Sequence, residues 1–293
     1  MTLPRRAAAV LPAAALTLTL AACGGGADAA ERGSDDDPVR IGVVGASQPE
    51  WQIFTDLAAE EGITVEIVDF SDYTQPNPAL TDGDLDLNQF QHILYLAQYN
   101  EADGQDLTPI GATAVYPLGL YSEKYDSVED IPDGEEIAIP NDVTNQGRAL
   151  RVLEAAGLVT LAEDAGVVPD TTDVDTDAST VTVTPVEANQ TVVALDSIAG
   201  SIVNNDFVDD AGLDPADALF ADDAASDVAE PYINVWVARA EDAEDETLTK
   251  LVEIYHDQQV LDAVQESAGG TASFADQDAA ELQEILAEVQ ADL

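Results

Sequence analysis

The chain has very little positive charge, only two histidines and a single cysteine. Of its 293 residues, 9 are Lys or Arg and 59 are Asp or Glu, which gives a formal net charge of −50. So much negative charge repels phosphate groups, which argues against nucleic acid and anionic lipid as binding partners. Two histidines are too few for a zinc site built from several His ligands, and one cysteine cannot form an internal disulfide.

Motifs for catalysis are also absent from the mature sequence. It contains no nucleophile elbow, no Walker loop and no glycine fingerprint for dinucleotides. Pairs of carboxylates are so abundant that their presence does not indicate an acid/base couple. We therefore predict that the protein is not an enzyme and needs no cofactor or metal.

The N-terminus has the layout of a bacterial lipoprotein signal. Arg5 and Arg6 precede an apolar stretch over residues 7–20, which is too short for a permanent membrane span. The stretch ends in Leu-Ala-Ala followed by Cys23, the pattern at which such signals are cleaved and the cysteine acylated. We predict a signal peptide over residues 1–22 and a lipid anchor on Cys23. An ordinary buried cysteine is the alternative interpretation.

Residues 23–37 are small and acidic and have no apolar periodicity, which predicts a flexible tether on the extracytoplasmic face of the cell membrane. Beyond it, strand and helix patterns alternate, which indicates an α/β fold. The predicted strands cover residues 39–44, 63–70, 136–139, 180–184 and 233–238. The predicted helices include residues 49–61, 88–99 and 145–156 and two amphipathic helices near the C-terminus. The acidic segment 163–179 is predicted to be a surface loop.

Several stretches combine polar and aromatic residues in specific patterns. They are DYTQPNPAL at residues 72–80, NQFQH at 88–92, PLGLYS at 117–122, IPNDVTNQGRAL at 139–150 and SIVNN at 201–205, with a weaker YIN at 232–234. In order and spacing these stretches resemble the methionine-binding lipoproteins of bacterial ABC importers, the MetQ or NlpA family. The resemblance extends from about residue 39 to the C-terminus.

The resemblance implies a type II-like periplasmic-binding-protein fold, with a ligand cleft between two lobes. We expect residues 38–118 and 238–293 to form the first lobe and residues 119–237 the second. It also implies that the protein binds methionine and delivers it to a membrane permease that works with an ATPase. The alternatives are a receptor for another small amino acid or a methionine-containing dipeptide, and, from other classes, a secreted enzyme or an adhesion module.

A site for an amino acid needs a cation for the carboxylate, acceptors for the ammonium group and an apolar slot for the side chain. Arg148 and Arg151 are the only Lys or Arg residues between Lys124 and Arg239, and Arg148 lies near the start of a predicted helix. We predict that Arg148 binds the carboxylate, although a surface Arg that offsets nearby acids is the alternative.

The resemblance also supplies the other candidate ligand-binding residues. Asn145 and Asn204 can each donate and accept hydrogen bonds, but Asn145 is equally suited to cap a helix and Asn205 could replace Asn204 as the counterpart. Three further side chains are expected to line the side-chain slot, where a thioether packs well on aromatic rings. These are Tyr73, Phe90 and His92.

Overall fold

The computed structural model describes residues 31–209 and 211–293 as one compact unit. The predicted signal peptide and the predicted lipid anchor on Cys23 lie outside the described residues. Within the part that is described, no helix is long and apolar enough to cross a membrane.

Strands and helices alternate along most of this unit. The strands are β1 (Val39–Val44), β2 (Val65–Phe70), β3 (Leu87–His92), β4 (Thr108–Ala112), β5 (Ala114–Val115), β6 (Gly119–Tyr121), β7 (Glu136–Pro140), β8 (Thr182–Val186), β9 (Gly200–Val203), β10 (Phe220–Ala221), β11 (Asn234–Ala238) and β12 (Ser273–Phe274). The α-helices are α1 (Pro49–Glu60), α2 (Pro76–Thr81), α3 (Ile93–Asp103), α4 (Val143–Ala155), α5 (Thr191–Ala194), α6 (Glu246–Tyr255), α7 (Gln258–Ser267) and α8 (Ala279–Asp292).

Ten of these twelve strands form two five-stranded sheets, each the centre of a lobe, and β5 pairs with β12 in a small separate sheet. The first sheet has the order β2-β1-β3-β11-β4, and the second has the order β10-β6-β9-β7-β8. In the first sheet β1 is parallel to β2 and β3, whereas β11 is antiparallel to both of its neighbours. In the second sheet β7 is parallel to β8 and β9. The chain passes to the second sheet before β6 and returns before β11, which confirms the predicted two-lobe α/β fold.

Each sheet carries its own apolar core. Trp51 and Phe54 of α1 pack against Trp236 of β11 and Tyr255 of α6, with ring centroids 5.3 to 6.1 Å apart. Burial of four such rings supplies much of the hydrophobic stabilisation of the first lobe. The second sheet packs against the apolar face of α4.

The prediction of a helix over residues 88–99 was wrong for its first five residues. Residues 87–92 form β3, a strand in which every residue is buried, and the helix begins only at Ile93. Two polar side chains of this strand are satisfied by Asn77 of α2, which bonds to both Asn88 and Gln91 at 2.6 to 2.9 Å. A buried strand with polar residues lacks the apolar run by which such strands are recognised.

Two boundaries differ from those expected from the sequence. Residues 31–37 were assigned to the flexible tether, but Arg32 pairs with Asp242 and Asp245, and Gly33 accepts a hydrogen bond from Thr64 N at 2.7 Å. The end of the expected second lobe, residues 234–237, belongs to β11, whose hydrogen bonds join it to the first sheet.

Candidate ligand-binding site

The six side chains singled out in the sequence surround a single cavity between the two sheets. It has about 450 Å³ of empty space, including its opening to solvent. The residues come from the carboxyl-terminal ends of strands or from the segments that follow them: β3, β7 and β9 each end at this cavity. This is where open α/β sheets place their ligands, because loops at these ends are free to present side chains. The six predicted side chains that surround the cavity are those of Tyr73, Phe90, His92, Asn145, Arg148 and Asn204.

Arg148 reaches the cavity from α4 with its side chain only 6% exposed. Its Nε donates to Asp222 at 2.7 Å, and its Nη2 donates to Asp222 at 3.1 Å and to the Tyr116 carbonyl at 2.8 Å. The guanidinium carbon lies 4.2 Å from the centre of the Tyr232 ring. These contacts fix the orientation of the guanidinium and leave the two N–H groups of Nη1 without a partner among residues 31–209 and 211–293.

Asn145 and Asn204 form a chain of hydrogen bonds that begins at Asp142. Asp142 caps α4 and accepts from both the backbone N and the side-chain Nδ2 of Asn145. Because Asn145 directs its amide nitrogen to this carboxylate, its Oδ1 faces Asn204, whose Nδ2 donates to it at 2.9 Å. Asn204 Oδ1 is then left as a buried acceptor that no hydrogen-bond donor of the described residues reaches. A buried acceptor without a partner is costly, so this atom favours a ligand that donates a hydrogen bond.

His92 is held as a neutral donor. Its Nδ1 accepts a hydrogen bond from Tyr95 N at 3.1 Å and so caps α3, which places the ring proton on Nε2. Nε2 lies 3.4 Å from Asn145 Oδ1. Burial and the nearby charge of Arg148 lower the pKa of His92 to about 3. His92 therefore carries no charge at neutral pH.

Tyr73 and Phe90 belong to a group of aromatic rings at one side of the cavity. Their ring centroids are 5.9 Å apart, and those of Tyr73 and Phe207 are 5.3 Å apart. Tyr95 completes the group at 5.7 Å from Phe90, and its hydroxyl donates to the Tyr73 carbonyl. The rings offer an apolar surface that suits a thioether or another flexible apolar chain.

Several residues at this cavity were not predicted to be part of the site. Asp222 and Tyr232 hold Arg148 from outside the lining of the cavity. Tyr95 lines the cavity and could be found from the sequence only as the residue three positions after His92 on a helix. Asn234 is the last residue of the weak motif at 232–234. The other unpredicted lining residues are Gln91, Tyr116, Pro117, Leu118 and Asp206. Asn205, which the sequence offered as the alternative to Asn204, also lines the cavity.

Asp206 adds a carboxylate to the cavity. It lies in the short 3₁₀ turn Asn205–Phe207 after β9, and its Oδ2 accepts a hydrogen bond from the Tyr73 hydroxyl at 2.7 Å. Burial and the charge of Glu50 raise the pKa of Asp206 to about 7, although the Tyr73 hydrogen bond acts in the opposite direction. The cavity thus has a cation, a carboxylate, an open acceptor and an aromatic wall. Among the described residues, no three His, Cys, Asp or Glu side chains are arranged to hold a metal ion.

Comparisons with known proteins extend over nearly all of the described chain. A model of the NlpA lipoprotein family matches residues 39–289. The D-methionine-binding lipoprotein MetQ of Yersinia pestis is 37% identical over 277 residues, which cover 93% of this chain and 98% of that protein. The region matched includes both sheets and the cavity between them.

Two solved structures show the same fold. The substrate-binding protein of a methionine transporter from Streptococcus pneumoniae is 34% identical with a TM-score of 0.75, and the match covers 81% of this chain and 95% of that one. A nutrient-binding protein from Burkholderia cenocepacia bound to methionine is 31% identical with a TM-score of 0.75, and the match covers 81% and 99% of the two chains.

Proposed function

Because this chain belongs to the NlpA lipoprotein family, we propose that it is the solute-binding lipoprotein of an ABC importer and that it binds methionine between its two lobes. In this proposal the protein captures methionine outside the cell and delivers it to a membrane permease without changing it. The names of its relatives describe methionine-binding and substrate-binding proteins, which supports a role in binding rather than in catalysis.

One observation carries the proposal. The cavity brings together a buried Arg148 with two free N–H groups, an unpartnered acceptor on Asn204, and the rings of Tyr73 and Phe90. A free N–H group on Nη1 of Arg148 can donate to one oxygen of a ligand carboxylate, and the positive charge of the guanidinium strengthens that bond. The hydrogen-bond acceptor on Asn204 matches an ammonium group. The aromatic wall then receives the thioether side chain, at roughly 0.3 to 1.5 kcal/mol per contact.

The six predicted residues have distinct roles in this proposal. Arg148 binds the carboxylate of methionine, and Asn204 accepts from its ammonium group. Asn145 orients Asn204 through their hydrogen bond, and His92 orients Asn145 as a neutral donor. Tyr73 and Phe90 form the slot for the side chain.

We also propose how the protein is held and how it moves. Acylation of Cys23 would anchor the chain in the membrane, with residues 23–30 as the tether, since the body is bonded from Arg32 onward. The two lobes, centred on the two sheets, would close on the ligand by a hinge motion at the segments that connect them. Closure would present one surface of the protein to the permease. The ATPase would drive transport through that permease.

Thermal unfolding of the soluble domain tests the proposal. The protein, refolded to remove ligand, is heated with and without L-methionine, D-methionine, other small amino acids and methionine-containing dipeptides. A ligand at about 100 times its Kd stabilises the folded state by roughly 2.7 kcal/mol, which corresponds to a rise in Tm of about 5 to 10 °C for a chain of this size.

We expect methionine to produce the largest rise, and the analogue norleucine, which lacks the sulfur, to produce a smaller one. If another amino acid raises the Tm and methionine does not, the choice of ligand is wrong although the fold still serves as a receptor. If no member of the panel stabilises a well-folded sample, the proposed function is wrong.

A further inference from the structure

Asp206 is a carboxylate in the cavity that has no cation of its own. Its Oδ2 accepts from the neutral Tyr73 hydroxyl. The ion pairs found among residues 31–209 and 211–293 do not include it. Asp206 is half-buried, and a carboxylate in a cavity without a counter-charge is unfavourable, because the cavity solvates it less well than bulk water does.

The groups that face Asp206 make this shortage of positive charge more severe. Glu50 of α1 acts on it as a like charge, and Tyr73, Tyr116 and Tyr255 face it as phenols from three other segments. Burial raises the pKa of each of these three phenols, which keeps them neutral.

The nearby groups with basic nitrogens do not supply the missing charge. The guanidinium of Arg148 is already paired with Asp222, and His92 is neutral because its pKa is about 3. Among the residues that the structure describes, no cation therefore balances the charge of the Asp206 carboxylate.

A second acceptor without a partner belongs to the same segment. Asn204 Oδ1 is buried without a hydrogen bond, two residues before Asp206. Both residues line the cavity. A primary ammonium group has three N–H donors, so it can bond to both acceptors at once and bring the charge that the carboxylate lacks.

We propose that Asp206 is a specificity-determining residue, which forms an ion pair with the α-ammonium group of the ligand and thereby selects ligands with a free amine. This inference rests on the proposed function and adds to it the side chain that recognises the amine. In the bound state the carboxylate of the ligand lies at Arg148, while its ammonium group lies between Asp206 and Asn204. The alternative is that Asp206 only ties Tyr73 of the first lobe to the second lobe.

The test compares two ligands that differ by one amine. Dissociation constants are measured for L-methionine and for 4-(methylthio)butanoate, which is methionine without its amino group. The proteins are the parent, Asp206→Asn, and the matched control Asp209→Asn, which removes the same charge from an exposed position three residues later. Asn at position 206 can still accept the Tyr73 hydrogen bond, so the variant removes the charge and keeps the contact.

We expect the parent to prefer methionine over the analogue by about 100-fold or more, because a buried charge-assisted contact is lost with the amine. In Asp206→Asn this preference should shrink by about tenfold or more, because methionine binds less tightly while the analogue does not. Asp209→Asn should keep the preference of the parent. The methionine affinity of the parent should also fall as the pH decreases below 7, and Asp206→Asn should show less of this dependence.

Each contrary outcome has a distinct meaning. If Asp206→Asn weakens both ligands equally, Asp206 only positions Tyr73 and the inference is wrong. If the parent itself binds the two ligands equally well, the inference is wrong without reference to any variant. If the parent binds neither methionine nor any other amino acid, the proposed function fails first.

Discussion

Replacing Arg148 by Gln should weaken methionine binding strongly, because Arg148 provides the buried cation of the cavity. A free N–H group on Nη1 would form a charge-assisted hydrogen bond with the ligand carboxylate, worth about 1.5 to 3 kcal/mol. A net loss of about 3 kcal/mol corresponds to a Kd roughly 150-fold higher. Isothermal titration calorimetry of the ligand-free protein measures this change directly.

Arg151→Gln is the matched control for this variant. Arg151 lies on the same helix, but its side chain is 40% exposed and bonds to Glu154 and to the Gly166 carbonyl, away from the cavity. The Kd of the Arg151→Gln variant for methionine should therefore stay within about twofold of that of the parent. Arg148→Gln also removes the ion pair of Asp222, so we expect it to lower the free energy of unfolding by about 1 to 3 kcal/mol. A folded Arg148→Gln variant that binds methionine as tightly as the parent would refute the role of Arg148.

Four further predictions concern stability and location. Asp206 holds a proton in the folded state up to a pKa of about 7, whereas the unfolded chain loses it near 3.8, so this group makes stability fall as the pH rises through that window. Urea unfolding should show that the free energy of unfolding falls less steeply between pH 5 and 7 in Asp206→Asn than in the parent. Equal slopes would contradict the raised pKa of Asp206. A Cβ on Gly111 would lie 2.2 Å from Val252 Cγ1, so Gly111→Ala should cost about 1 to 3 kcal/mol of unfolding free energy, and Val252→Ala in the same chain should cancel part of that cost. With a net charge of −50, the Tm should rise as NaCl is added, because salt screens the repulsion between carboxylates, and a Tm independent of salt would oppose this. Cys23→Ser should move the protein from the membrane fraction to the soluble fraction in cells that export it, and unchanged fractionation would exclude the lipid anchor.

Much of the architecture could be predicted from hydrophobic patterns. The strand predicted over residues 39–44 is confirmed as β1, and the helix predicted over 49–61 is confirmed as α1 (Pro49–Glu60), because each has a clear apolar period and a clear end. The predicted helix at 145–156 is α4 (Val143–Ala155), which begins two residues earlier because Asp142 caps it. The local sequence pattern is sufficient to predict a helix or strand where one face of that element is apolar.

The polar strand β3 could not be predicted in the same way. Asn88 and Gln91 can be buried because both bond to Asn77, which precedes the strand by ten residues and meets it only in the folded protein. Nothing in a local window shows that these polar groups are satisfied, so the helix that follows was extended backwards over the strand.

Five of the six candidate residues came from the motifs of the family, and Arg148 came from the scarcity of cations. The partner of Arg148 could not be predicted in either way. Asp222 is one of 59 acidic residues, and no spacing distinguishes it as the partner of Arg148. Asp206 likewise cannot be distinguished in the sequence from the other acidic residues, since its position in the cavity depends on the turn after β9. Contacts between residues far apart in the sequence form only in the folded chain. These contacts determine which of the many carboxylates belong to the ligand-binding site.

A crystal structure from crystals grown with methionine would test most directly the central claim that methionine binds in the cavity between the two sheets. We predict one methionine in the cavity between the sheets, with its carboxylate on Arg148 Nη1, its ammonium group between Asn204 Oδ1 and Asp206, and its sulfur against Tyr73 and Phe90. Methionine bound elsewhere, or bound in the cavity with its ammonium group toward Arg148, would contradict the account.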